Sequence, residues 1–153
     1  MSEQVVTRAA DPAFINLAEI KSNLDESTTI NIANGIQKLE FYESILQDSI
    51  RATIVFNDSG DSISGKTAVD GLPIVGQEEV KLKFKDNDDN EVSLTLYANK
   101  ITPVFDDSVK SLVTMSLVSE EYIRNEQGSS RVNIRFDGKI SDNVDKIFKD
   151  YLK

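Results

Sequence analysis

A chain of 153 residues with 39% hydrophobic and 28% charged side chains suits one domain with a single core, and no apolar run approaches the ~20 residues that span a bilayer. It contains neither cysteine nor histidine, which excludes disulfides, thiolate nucleophiles and Cys-ligated metals and removes the commonest general base. A net charge of −9 argues against a surface that grips nucleic-acid phosphates.

Residues 1–27 are polar and weakly periodic; Phe14, Leu17, Ala18 and Leu24 support at most a short helix. This stretch is expected to be an N-terminal arm that orders against a partner. Its start, MSEQVVTRAADPAF, lacks a basic region followed by an apolar core, so no secretory signal is expected. From Thr28 the hydrophobic period becomes two, and residues 28–153 are expected to form one domain. Leu39 and Phe41 share a face opposite Lys38 and Glu40, while Ile50, Ala52, Ile54 and Phe56 alternate with Arg51, Thr53, Val55 and Asn57. Such alternation predicts strands half-buried on one face.

The segments EVKLKF (79–84) and EVSLTLY (91–97) flank the turn-rich DNDDN (86–90) and predict a hairpin. Folding about Asp88 faces Phe84 to Val92, Leu82 to Leu94 and Val80 to Leu96 on one side. It faces Lys85 to Glu91, Lys83 to Ser93 and Lys81 to Thr95 on the other. A one-residue slip would send the apolar set to the wrong face, so the register is specified. SLVTMSLV (111–118) and RVNIRF (131–136) alternate in the same way and predict two further strands. In SDNVDKIFKDYLK (141–153) the period changes: Val144, Ile147, Phe148, Tyr151 and Leu152 recur at helical spacing behind a Ser141 or Asp142 cap. The expected fold class is mainly β with a terminal helix (α+β). Six or seven strands would form a small antiparallel β-barrel or sandwich against which the helix packs.

GLPIVG (71–76) has the glycine spacing of a phosphate loop, but Gln77 and Glu78 follow where lysine and a hydroxyl residue are needed. It is an apolar loop, and Leu72, Ile74 and Val75, together with the aromatic pair Phe41 and Tyr42, are the candidate protein-interface residues. DNDDNE (86–91) begins like a calcium loop, yet Glu91 stands at the glycine position and Tyr97 at the terminal acid position, leaving a hairpin turn. The pairs Glu78-Glu79, Asp106-Asp107 and Glu120-Glu121 are sequence neighbours that point to opposite faces of a strand. They cannot converge as a glycosidase pair and are expected on a solvated surface. Lys81, Lys83 and Lys85 form a cationic stripe on a strand exterior, suited to blocking or selecting an edge partner. Ser44 and Ser59 have no base nearby to activate them. No catalytic residue, cofactor or metal ligand is expected, and no enzymatic activity.

Three segments in order, FYESILQDSIRATIVFNDSG, GLPIVGQEEVKLKF and SLVSEEYIRNEQGSSRVNIRFDGKISDNVDKIFKDYL, resemble the baseplate hub proteins of contractile-tailed, T4-like bacteriophages. The resemblance extends over residues 28–153. It implies a tail-tube-like fold, a small β-barrel with a flanking helix. In that family such domains stand side by side around a channel, two per chain. Three chains therefore build a pseudo-sixfold ring that matches the hexameric tail tube at one end and the threefold spike at the other. This sequence runs to Lys153 without a second barrel, as expected of an N-terminal portion of a longer hub or of a single-domain form that closes with six copies. The resemblance also implies that Glu43 and Ser44 lie in a bend between barrel strands and Asn57–Gly60 in a turn.

The function so implied is that of a virion structural protein of the tail baseplate, made in the host cytoplasm. Its partners would be the tail tube, the spike and further copies of itself in a trimeric or hexameric ring. DNA would pass the channel without specific binding, and no stable membrane association is expected. The alternatives are a single-domain tail-tube or tube-initiator protein and a cytosolic protein-binding β-domain. The association of hubs with lysozyme-bearing spikes also suggests, far more weakly, a carboxylate-based cell-wall hydrolase. Ring formation separates the structural readings from the others.

Overall fold

The computed structural model describes residues 14–25, 27–58, 71–72, 74–86, 88–107, 110–128 and 131–151. Its strands are β1 (Phe14–Lys21), β2 (Thr29–Asn31), β3 (Ile36–Tyr42), β4 (Arg51–Asp58), β5 (Glu79–Lys85), β6 (Glu91–Asp107) and β7 (Lys110–Val118). A 3-10 turn, Ala33–Gly35, separates β2 from β3, and after β7 come the helices α1 (Glu120–Glu126) and α2 (Ile140–Asp150). The strands form one antiparallel sheet in the order β2-β1-β5-β6-β7-β4-β3. The molecule is mainly β with a terminal helix, and its sheet is curled into a half-barrel.

Curling follows from a single contact. Four strand spacings separate β5 from β3, which is about 19 Å across a flat sheet. Yet Phe84 on β5 and Phe41 on β3 meet edge to face with ring centroids 5.8 Å apart. The concave side is therefore the core. It collects Ala18 and Ile20 from β1, Ile54 and Phe56 from β4, Val80 and Leu82 from β5, Leu96 and Ala98 from β6, and Val113, Met115 and Leu117 from β7. The β5–β6 hairpin has the register the sequence specifies, with Leu82 opposite Leu94, Val80 opposite Leu96 and Phe84 opposite Val92.

Bulges make long, twisted strands serve one core. In β6 the register shifts between Ala98 and Lys100, so Leu96, Ala98 and Ile101 all contribute to the core although strict alternation would turn Ile101 outward. The same device in β3, between Ile36 and Lys38, keeps Ile36, Leu39 and Phe41 on the core side. In β1 the shift falls between Ile15 and Leu17, and Ile15, Ala18 and Ile20 face inward.

Several expectations are corrected. The supposed arm contains β1, which lies inside the sheet between β2 and β5; residues 1–13 fall outside the described residues. Residues 131–136 form no strand; after α1 the chain runs irregularly, with the Val132 amide donating to Asn125 Oδ1 at 3.2 Å. Asn57 and Asp58 belong to β4 rather than to a turn, and Asp58 is buried; Ser59 and Gly60 lie outside the described residues. The N-cap of the terminal helix is Lys139, two residues before the expected Ser141 cap and three before Asp142, with no side-chain cap bond. No residue of α2 is buried: Ile140 is 82% and Phe148 57% exposed. Its apolar stripe is not packed into the core, and Tyr151, just past its end, makes an edge-to-face contact with Phe136 at 6.4 Å. Among the described residues no helix is long and apolar enough to cross a membrane.

Candidate protein-interaction surface

The β3–β4 connection is built by its polar residues and exposes its apolar ones. Tyr42 and Arg51 are directly paired where the two strands part. Between them Ser44 organises the turn: its carbonyl accepts from the Gln47 amide at 3.1 Å and its hydroxyl from the Leu46 amide at 3.2 Å. Glu43 and Ser44 thus lie in a bend between strands. The turn leaves Ile45 and Leu46 projecting into solvent, at 101% and 91% exposure.

The base of this loop is rigidified around Arg51. Its guanidinium donates from Nη2 to Asp48 Oδ1 and from Nε to Ser49 Oγ, both at 3.3 Å, and stands 5.5 Å from the centroid of the Tyr122 ring. Tyr122 is brought there by α1, whose start is tied to the loop through the Ser119 amide and the Ile50 carbonyl at 3.0 Å. A shallow cleft of about 270 Å³ opens beside them, lined by Tyr42, Arg51, Thr53, Asn99, Ser116 and Tyr122. Tyrosine and arginine, the residue types that line this cleft, are enriched at protein-binding hot spots, and Ile45 and Leu46 are exposed in the loop that joins Tyr42 to Arg51.

Of the residues expected at an interface, Tyr42 is half-exposed and part of this surface, whereas Phe41 turns inward onto Phe84. The GLPIVG loop divides. Leu72 is fully buried and belongs to the core rather than to an exposed patch; Ile74 packs partly against the core, and Val75 is exposed. The sequence reading missed Ile45 and Leu46. Their signal was an adjacent aliphatic pair inside a polar loop, ESILQDS.

Glu78 explains why the GLPIVG loop divides. It is not on a solvated surface: it is 0% exposed. Its Oε1 accepts from the Val75 amide at 2.5 Å and the Gly76 amide at 2.8 Å. Gly76 (φ 109°) and Gln77 (φ 61°) adopt left-handed conformations that turn the chain so that the Glu78 carboxylate comes back onto these amides, with Oε2 also 3.1 Å from the Gly76 amide. The loop that spaces its glycines like a phosphate cradle cradles its own carboxyl group. The Gln77 amide to Ala98 carbonyl and Ala98 amide to Glu78 carbonyl bonds, both 2.9 Å, tie the loop to β6.

Elsewhere, among the described residues, no buried side-chain nitrogen or oxygen lacks a hydrogen-bond partner. Lys81 and Lys83 are exposed on the convex face as expected; Lys81 pairs with Glu79 at 3.4 Å and Lys85 with Asp89 at 3.5 Å. Lys38 and Glu40 pair at 2.8 Å, which raises the ammonium pKa and lowers the carboxyl pKa through the hydrogen bond they share. A second cleft, about 350 Å³, lies between Asn23, Gln77, Tyr97 and the Glu120–Arg124 pair of α1. Burial, with the Glu120 and Glu79 carboxylates, raises the Tyr97 hydroxyl above its ordinary value. No protein-family model, curated protein or solved structure matches this chain.

Proposed function

We propose that the protein is a structural subunit of a tailed-phage baseplate, of the hub type, which self-associates into a ring joining the tail tube to the central spike. The observation that carries the reading is the β3–β4 loop, where a turn fixed by Ser44 holds Ile45 and Leu46 in solvent within the segment that joins Tyr42 to Arg51, two residues that line a cleft. Exposed aliphatic groups on a rigid support are costly in isolation and gain free energy when a second protein covers them. The curled antiparallel sheet with a terminal helix agrees with the barrel that the sequence resemblance implies. The net charge of −9 suits a channel that a polyanion must traverse without adhering.

Light scattering and negative-stain electron microscopy of the purified chain, alone and mixed with tail-tube and spike proteins, test the reading. Closed rings of three copies support a hub, and rings of six a single-domain tube or initiator subunit. A monomer at every concentration that binds neither tail protein would refute it and favour a cytosolic protein-binding domain.

A further inference from the structure

Asn34 is the only asparagine in the sequence that is followed by glycine. That pairing carries a chemistry of its own. A main-chain amide nitrogen that loses its proton can attack the carboxamide of the preceding asparagine, and a glycine, having no Cβ, leaves the approach open. The reaction proceeds only where the backbone is free to turn. Asn34 is exposed, but it sits in the middle of the 3-10 turn Ala33–Gly35 that joins β2 to β3.

Hydrogen bonds hold the nitrogen away from that side chain. The Gly35 amide donates to the Ile32 carbonyl at 2.9 Å, the Ile32 amide to the Ala18 carbonyl of β1 at 2.8 Å, and the Ala33 amide to Asn31 Oδ1 at 3.0 Å. A 3-10 turn sets ψ at about −20 to −30°, which carries the Gly35 nitrogen out of the plane that ring closure with the Asn34 side chain requires. Closure needs a rotation about the Asn34 Cα–C bond that breaks the Gly35–Ile32 hydrogen bond. The same rotation moves Gly35, whose α-carbon lies so near β4 that an added Cβ would stand 2.6 Å from the Asn57 carbonyl oxygen. The nucleophile and its target are neighbours in sequence, and the fold keeps them apart.

We infer that Asn34 is a site of spontaneous deamidation that the 3-10 turn gates, closed in the native fold and reactive when the turn opens. On opening, the Gly35 nitrogen gives its proton to solvent base and bonds to Asn34 Cγ. The Cγ–Nδ2 bond breaks, and ammonia leaves with a proton from water. Water then opens the cyclic imide at either carbonyl to give aspartate or isoaspartate, so a water is gained, an ammonia is lost and no electron is transferred. The two products differ at the seam between β1 and β4. Aspartate keeps the original main chain, and the turn can re-form. Isoaspartate routes the main chain through Cβ and Cγ, which adds a main-chain atom just before Gly35, where the Asn57 carbonyl leaves no room. In that form the seam cannot return to its register, and the opening is one-way.

The full chain, incubated at mildly alkaline pH both folded and in urea, tests the inference, with aspartate and isoaspartate at each asparagine followed by peptide mapping and mass spectrometry. Deamidation of Asn34 should be about tenfold or more slower in the folded chain than in urea. Asn31→Ala, which removes an exposed acceptor from the turn, should raise the folded rate and leave the rate in urea unchanged. The isoaspartate form, made in urea, refolded and separated by chromatography, should melt below the parent, whereas Asn34→Asp should melt with it. Equal rates folded and in urea, or a folded rate that Asn31→Ala leaves unchanged, would show that the turn is not the gate. Faster reaction at another asparagine in urea would overturn the assignment of the site. An isoaspartate form as stable as Asn34→Asp would overturn the one-way opening.

Discussion

Glu78 has no sequence signal for its role beyond following a glycine loop, yet it is the residue on which that loop turns. A buried carboxyl group is tolerated only when hydrogen bonds replace the water it loses. Here the loop amides of Val75 and Gly76 supply them, and both reach Oε1. Glu78→Gln keeps one oxygen that can accept both amides but sets a donor NH2 where Oε2 accepts from the Gly76 amide at 3.1 Å, so it should cost less than removing the acceptor altogether. Glu78→Leu leaves both donors without an acceptor and should destabilise by about 1–3 kcal/mol, read as a shift in the urea midpoint at constant slope. Equal losses in the two variants would show that the charge, rather than the acceptor oxygen, holds the loop.

At the scale of elements, the β5–β6 hairpin carries two separable contributions. Its strands are held by core burial, with Leu82 1% exposed on the concave face. Leu82→Ala should therefore cost about 2–5 kcal/mol by equilibrium unfolding. Its turn is held by Asp86, whose carboxylate accepts from the amides of Asp88 and Asn90, both at 2.9 Å, and from the Asn90 side chain at 3.0 Å. Those bonds, Asn90's first, hold the Asp86 carboxyl below its ordinary value. A depressed carboxyl pKa favours the folded state above the unfolded-state value, and this contribution is lost as pH falls through the folded one. Denaturation at pH 7 and at pH 3 should accordingly show a smaller acid-dependent loss of stability in Asp86→Ala than in the parent. The helix α2 behaves differently from both: with no buried residue, its substitutions should leave folding nearly unchanged.

Over the whole molecule, the short 3-10 turn Ala33–Gly35 links the two edges of the curled sheet. The Ile32 amide donates to the Ala18 carbonyl on β1 at 2.8 Å, while Gly35 passes so close to β4 that an added Cβ would lie 2.6 Å from the Asn57 carbonyl oxygen. That approach permits only a hydrogen at the α-carbon. Gly35→Ala must push backbone against backbone and should destabilise by about 1–3 kcal/mol, with the thermal unfolding midpoint as the readout. A fully tolerated alanine would mean that the seam between the edges is more open than the hydrogen bonds describe. In an assembled ring, the proposed function further expects Lys81, Lys83 and Lys85 to face away from the channel, which a density map of the ring resolves directly.

Elements whose side chains alternate without interruption are readable from the residues alone. The β5–β6 register, the core side of β4 and β7 and the amphipathic stripe of α2 are all legible because a period of two or 3.6 is a local property. What defeated the reading at β1 was a bulge: the shift between Ile15 and Leu17 breaks the period, so FINLAEIK looks like a weak helix rather than a strand paired on both sides. RVNIRF erred in the opposite sense, since Val132, Ile134 and Phe136 alternate but no neighbouring strand pairs with them among the described residues. The candidate site was only partly legible, at Tyr42, because exposure is not a property of a residue type. Leu72 and Leu46 are the same side chain in two apolar-bearing loops. One is drawn into the core by a loop that a buried glutamate folds back, and the other is held in solvent by a serine turn. Their difference arises in three dimensions, because the burial of a loop residue depends on which distant strands the chain has already brought beneath it.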